Sequence, residues 1–229
     1  MARTTQARTA ATLLDRHGTT YAADADITLR DTPQPLYQLL VLSLLLSARI
    51  RADVATAAAR ALFAHGLRTP KAMEEASWQE RVDALGEGHY RRYDERTATQ
   101  LGDGADLIRA EWSGDLRKAR DKANGDARAL TSELREVPGI GPTGVDIFLR
   151  EAQAVWPEYA PRFDAKALQG AARLDLPQDP RRLARLTDDP ATFAAALVRA
   201  ALDKKVVDDV KEHASRGPGS RTRARGPGS

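Results

Sequence analysis

The chain contains no cysteine, which excludes disulfides, thiolate zinc sites and cysteine-held iron–sulfur clusters. Histidine is nearly as scarce. His17, His65, His89 and His213 are scattered, with no two at metal-ligand spacing, and each reads as a surface or helix-end residue rather than a ligand. No apolar run is long enough to span a bilayer: the longest, Leu39 to Ala48, is interrupted by serine. The start, MARTTQARTAATLL, is polar and runs into an amphipathic pattern, unlike a secretory signal. No membrane partner is expected, and a cytoplasmic location is the default. There is no convincing alternation of polar and apolar residues, and no GxGxxG or Walker-type phosphate loop.

Global charge is equally uninformative. The net charge is +3, but residues 216–229 hold Arg216, Arg221, Arg223 and Arg225 without an acid. The rest therefore sums to −1, and any surface for a polyanion must be a local patch. That tail repeats RGPGS around RTRA, a disordered composition that serves either as a tether to nucleic acid or as a solvated end.

What remains is helical throughout. Residues 35–49 are nearly uniformly apolar and predict a helix buried on most sides. Asp53 can cap an alanine-rich helix to about Phe63, ended by His65-Gly66. Helices are expected at 70–76 and 78–85, a break at Gly86-Glu-Gly88, and a longer helix from Asp94 to Trp112. Two shorter ones reach Glu136. Ile27-Thr-Leu29 is at most a short extended piece. A weak helix is expected at 180–187 and a stronger one at 190–213, begun by Asp189-Pro190.

The segment Val137-Pro-Gly-Ile-Gly141 separates a helix ending near Glu136 from one beginning at Pro142 or Thr143. Ile140 can plug the turn into the core. Gly139 and Gly141 leave backbone N–H groups open to an anion, beside the positive end of the second helix. A lone Gly-x-Gly is usually an ordinary turn. The pattern apolar-Pro-Gly-apolar-Gly opening an apolar helix is more specific, and it predicts a grip on a nucleic-acid backbone.

This stretch resembles the helix-hairpin-helix DNA glycosylase superfamily, of the endonuclease III type. The resemblance extends to Arg162-Phe-Asp-Ala-Lys-Ala-Leu-Gln-Gly-Ala-Ala-Arg-Leu-Asp-Leu-Pro177, which matches the family's aspartate-led helix. Residues 155–161 look like a short insertion before it. Pro35 to Arg49 is similar to the family's early core helix, which ends in Leu-Leu-Ser-Ala-Gln. Gly88 to Thr97 is similar, more loosely, to a Gly-Tyr-x-x-Lys-Ala segment. The likeness covers about residues 33–177.

The resemblance implies an all-α, bilobal fold. Residues 33–150 would form a helical barrel ending in the hairpin, and residues 1–32 with 151–215 a second lobe, in a monomer. It implies base excision from double-stranded DNA containing a lesion or mismatch. The target nucleotide is flipped out, and a carboxylate stabilises oxocarbenium-like charge on the sugar and orients or deprotonates the attacking water. Asp164 falls at that position, where an aspartate opening a helix would also be a cap.

Thr143 stands where members that also cleave the strand carry a lysine, so the implied enzyme is monofunctional and acts through water. Lys166 suits a phosphate contact or the surface, since residues two apart on a helix diverge. Asp146 stands where relatives often have asparagine; it is either a solvent carboxylate or an added charge near the DNA. Arg49 occupies the place of a glutamine that fills the hole left by the flipped base, or else pairs with an acid such as Asp53. Arg91, Arg92 and Arg96, near Tyr90 and Tyr93, either contact phosphate, line the base pocket or are solvated. Trp156 and Tyr159 read as packing residues. The family commonly holds potassium or sodium on hairpin carbonyls, which here would be those of Arg135, Val137 and Ile140; no other cofactor is implied. The alternatives are a non-catalytic DNA-binding relative and a glycosylase that is also a lyase.

Overall fold

The computed structural model describes residues 2–215, so the expectations for the arginine-rich tail fall outside the described residues. No strand occurs among them: the protein is all-α. Ile27 to Leu29 is irregular, with Ile27 buried and its N–H bonded to the Ala22 carbonyl at 2.9 Å.

Helices α1 (Ala2–His17) and α2 (Tyr21–Asp24) precede the central α3 (Pro33–Ser47). Every residue of α3 from Leu36 to Leu45 is buried, as its unbroken apolar run requires. The helix stops two residues before the predicted end, at Ser47. Next is α4 (Ala52–Ala64), whose cap position is held by Arg51. Asp53 lies inside its first turn instead and is bound by Arg51, Nε to Oδ1 at 3.0 Å and Nη2 to Oδ2 at 2.5 Å.

Helices α5 (Pro70–Glu75) and α6 (Trp78–Glu87) follow, the latter opened by a reciprocal Ser77–Glu80 capping box. The chain continues as helix through Gly86 and breaks only at Gly88, which lies so close to the Ala58 backbone that a Cβ would be 2.3 Å from its Cα. Arg81, buried between these helices and α7 (Asp94–Trp112), donates to the carbonyls of Met73, Ala76 and Ala98.

Helices α8 (Leu116–Ala123) and α9 (Ala127–Arg135) lead through the hairpin to α10 (Pro142–Ala152). After a single 3-10 turn at Pro157–Tyr159 come α11 (Ala165–Arg173) and α12 (Pro180–Ala184). The expected helix over 190–213 is two, α13 (Pro190–Leu202) and α14 (Lys204–Ser215). Asp203 leaves helical geometry between them and its carboxylate accepts the Lys205 N–H at 2.8 Å, so a residue able to cap restarts the helix.

Packing sorts the helices into two sets that meet at α10. It lies on α3 and α9 on one side and on α13 on the other, while α13 also carries α1, α11 and α14. Trp156 is fully buried and packs edge-on to Phe148 at 5.5 Å, its indole N–H donating to Asp31 at 2.9 Å. Trp156 and the buried Tyr159 are thus core residues, as their sequence setting suggested. No helix of the described residues is long and apolar enough to cross a membrane.

Candidate active site

The hairpin turn is built by two different demands on its glycines. Gly139 has φ +85°, and a Cβ there would meet the Leu44 side chain at 2.9 Å and Gln100 at 3.0 Å. Only glycine fits. Gly141, the cap residue of α10, has an ordinary φ of −88° and nothing within 4 Å of a built Cβ. Neither fold nor strain requires glycine at 141; the space beside it is open. Val137 and Ile140 are buried, plugging the turn between α9 and α10. The Ile140 N–H bonds to the Val137 carbonyl at 3.0 Å, whereas the N–H groups of Gly139 and Gly141 have no acceptor among the described residues.

One turn on, Thr143, Asp146, Ile147 and Arg150 share a face of α10, at the i, i+3, i+4, i+7 spacing of a helix stripe. That face lines a cleft of about 360 Å³, closed by Leu46 at the end of α3 and Ala48 and Ile50 just beyond it, by Asp164 to Lys166 at the start of α11, and by Tyr21 and Val198. The structure therefore brings together Thr143, Asp146, Asp164 and Lys166 from the sequence reading.

Asp164 caps α11, its Oδ1 accepting the Ala167 N–H at 2.9 Å. Its other oxygen, Oδ2, accepts from Arg150 Nη1 at 2.6 Å. Both side chains are buried, 4% exposed for Arg150 and 8% for Asp164. Arg150 also lies over the Tyr21 ring at 5.6 Å, and its Nε has no hydrogen-bond partner among the described residues. Next to it Glu151, buried as well, accepts the N–H groups of Tyr21 at 2.7 Å and Ala22 at 2.8 Å, fastening α2 to α10. Burial pushes the Glu151 carboxyl above its ordinary range, against the pull of Arg150.

Arg150 and Glu151 are residues that sequence reasoning missed. Their one signal is two adjacent charges directly after Val145-Asp-Ile-Phe-Leu149, inside a helix that runs to Ala152. Removing one member of a buried ion pair costs about 3–5 kcal/mol, because the other is left uncompensated.

Asp146 differs. Its side chain is half exposed, and its nearest ion partner is Arg162 at 3.7 Å. Partial desolvation in the cleft and the nearby Asp164 anion raise its pKa, with Arg162 and Arg150 opposing. It is no plain solvent carboxylate. Lys166 is exposed at the cleft edge, its Nζ donating to Gln169 at 3.0 Å.

The other predicted residues gather next door. Arg49, Arg96, Tyr90, Tyr93 and Gly139 line a second cleft of about 410 Å³, separated from the first at Ala48, which lines both. Arg96 and the tyrosines are thus beside the hairpin rather than around Asp164. Arg49 is exposed and, contrary to a pairing with Asp53, has no ion partner among the described residues; Arg51 takes that carboxylate. Arg92 stacks over the Tyr93 ring at 5.2 Å. A cavity larger than either, about 600 Å³, lies around Gln34 and Gln38 in the first half of α3 and holds none of the predicted residues. Among the described residues no three His, Cys, Asp or Glu side chains group to hold a metal.

Compared with known protein families, with curated proteins and with solved structures, the chain matches none.

Proposed function

We propose that the protein is a monofunctional DNA glycosylase of base excision repair with a bilobal helix-hairpin-helix fold. The observation that carries this reading is one helix serving two tasks. The turn leading into α10 offers the free N–H groups of Gly139 and Gly141, with open space beside Gly141. The helix itself presents Thr143, Asp146 and Arg150 to a cleft shared with Asp164. A phosphate held at the hairpin would put the neighbouring nucleotide near that cleft, and its 360 Å³ volume lies within the range of ligand pockets.

In this reading the two lobes, 33–150 and 1–32 with 151–215, face double-stranded DNA carrying a lesion or mismatch as a monomer, and the substrate places the protein with the chromosome. Arg49, exposed and unpaired beside the cleft, fills the gap left by the flipped base. Arg96 and Lys166 serve the phosphates. Asp164, held in place by Arg150, stabilises positive charge on the sugar and orients water. Potassium or sodium on the carbonyls of Arg135, Val137 and Ile140 would brace the turn and strengthen its pull on phosphate. The Val137 carbonyl, bonded once to Ile140, keeps a second lone pair for such an ion.

The test is release of free base from duplexes carrying uracil, hypoxanthine, alkylated or oxidised bases. Product from at least one is expected, with the strand left intact until alkali is added. Binding without product on the whole panel would favour a non-catalytic DNA-binding protein, for which the sequestered Asp164 is the specific argument. Lys166 in the cleft is the argument for a lyase. Borohydride trapping of a covalent complex, lost in Lys166→Ala, would establish it and overturn the monofunctional assignment.

The hairpin makes its own prediction. Gly141→Glu meets no steric obstacle but sets a carboxylate where phosphate would bind. Duplex affinity at low salt should fall about tenfold or more, in proportion to the lost backbone contact, with unchanged thermal stability. Equal affinity in a filter-binding titration would remove the hairpin from the interface.

A further inference from the structure

We infer that Asp146, rather than Asp164, takes the proton from the attacking water, while Arg150 acts as a positioning residue that holds the Asp164 carboxylate in place; this rests on the glycosylase reading.

Both oxygens of Asp164 are already engaged. One oxygen holds the Ala167 N–H and the other the Arg150 guanidinium. Losing the shorter of these contacts would strand Arg150, which is buried and already lacks a partner for Nε. A water bound in the cleft could align on Asp164 without losing its proton there.

Asp146 meets the requirements that Asp164 fails. It lies on the same face of α10, one turn beyond Thr143. It is half exposed, and its contact with Arg162, at 3.7 Å, is too long for a hydrogen bond. Its oxygens are therefore free to bind water. The charged groups around it are Asp164 and Lys166 on or before α11, Arg162 in the preceding loop and Arg150 on its own helix. Desolvation and Asp164 raise its proton affinity more than the two arginines lower it. That suits a base working closer to neutral pH.

The step balances as a hydrolysis. The water oxygen gives an electron pair to the anomeric carbon, and the pair of the breaking C–N bond leaves with the base. The water's proton goes to Asp146, and the departing base takes one from solvent. Asp146 then returns its proton to solvent.

The test is single-turnover base release across pH for the wild type, Asp146→Asn, Asp146→Glu and Asp164→Asn. A base must be deprotonated to act, so the wild-type rate should rise with pH and then level off. Asp146→Asn should be slower by about 100-fold or more and lose this rise, with duplex affinity kept; Asp146→Glu should restore part of the rate. Asp164→Asn should also be slow but keep the rise, shifted to lower pH, because a raising charge has gone. A rate for Asp146→Asn within a few-fold of wild type, or an unchanged pH profile, overturns the inference and leaves the glycosylase reading intact. A wild type that releases no base from any lesion duplex overturns both.

Discussion

Replacing Arg150 by methionine should cost about 3–5 kcal/mol of folding stability, read as a lowered urea midpoint. Methionine keeps much of the volume and the apolar stem, so the loss reports the missing charge. Asp164 would then be a buried carboxylate with only its cap bond to Ala167. The double variant Arg150→Met with Asp164→Leu removes both charges and should recover a large part of that loss, though not the cap, which contributes about 1 kcal/mol. If Arg150→Met alone stays within about 1 kcal/mol of wild type, the pair is not the buried contact described, and Arg150 does not hold Asp164 in place.

The second large effect concerns the seat of α11. Gly170 lies where α11 crosses α13, and a Cβ there would stand 1.8 Å from the Leu197 carbonyl oxygen and 2.7 Å from its carbon. These are backbone atoms and cannot rotate away. Gly170→Val should therefore destabilise by about 3 kcal/mol or more, the upper range for overpacking. Because Asp164 caps the same helix, displacing α11 should also separate the carboxylate from Arg150 and slow base release. Gly86→Ala is the control: it lies within α6, and nothing approaches a Cβ there. It should raise stability by about 0.5–1 kcal/mol. Equal urea midpoints for Gly170→Val and wild type would contradict the packing described.

The helical class, the long helix over 94–112 and the hairpin with Ile140 plugged into the core are all legible in the sequence, because periodicity and turn residues act locally; the burial of Val137 is not. The cap at Asp164 is legible for the same reason: a helix start needs an acceptor, and Asp-Ala-Lys-Ala supplies one. Other features depend on distant partners. The pattern of 190–213 continues through Asp203, and only the switch of its carboxylate to Lys205 N–H reveals two helices. Arg150 and Glu151 look like the solvated end of a helix. Their burial comes from Tyr21 and Ala22, roughly 130 residues earlier in the chain, packing over them. Arg49 and Asp53 are one turn apart in sequence, yet Arg51 captures the aspartate and leaves Arg49 exposed. Gly141 reads in the sequence as a residue that leaves its N–H open to an anion, and the structure shows open space beside it.

The most direct measurement is the single-turnover rate of base release by Asp164→Asn relative to wild type, on whichever lesion duplex gives most product. Asparagine keeps the shape and an acceptor for the Ala167 N–H but carries no charge. The rate should fall by about 10²–10³-fold, the scale of losing a preorganised electrostatic group, with duplex affinity within a few-fold. Equal rates for the two proteins would contradict the assignment of the cleft as the active site.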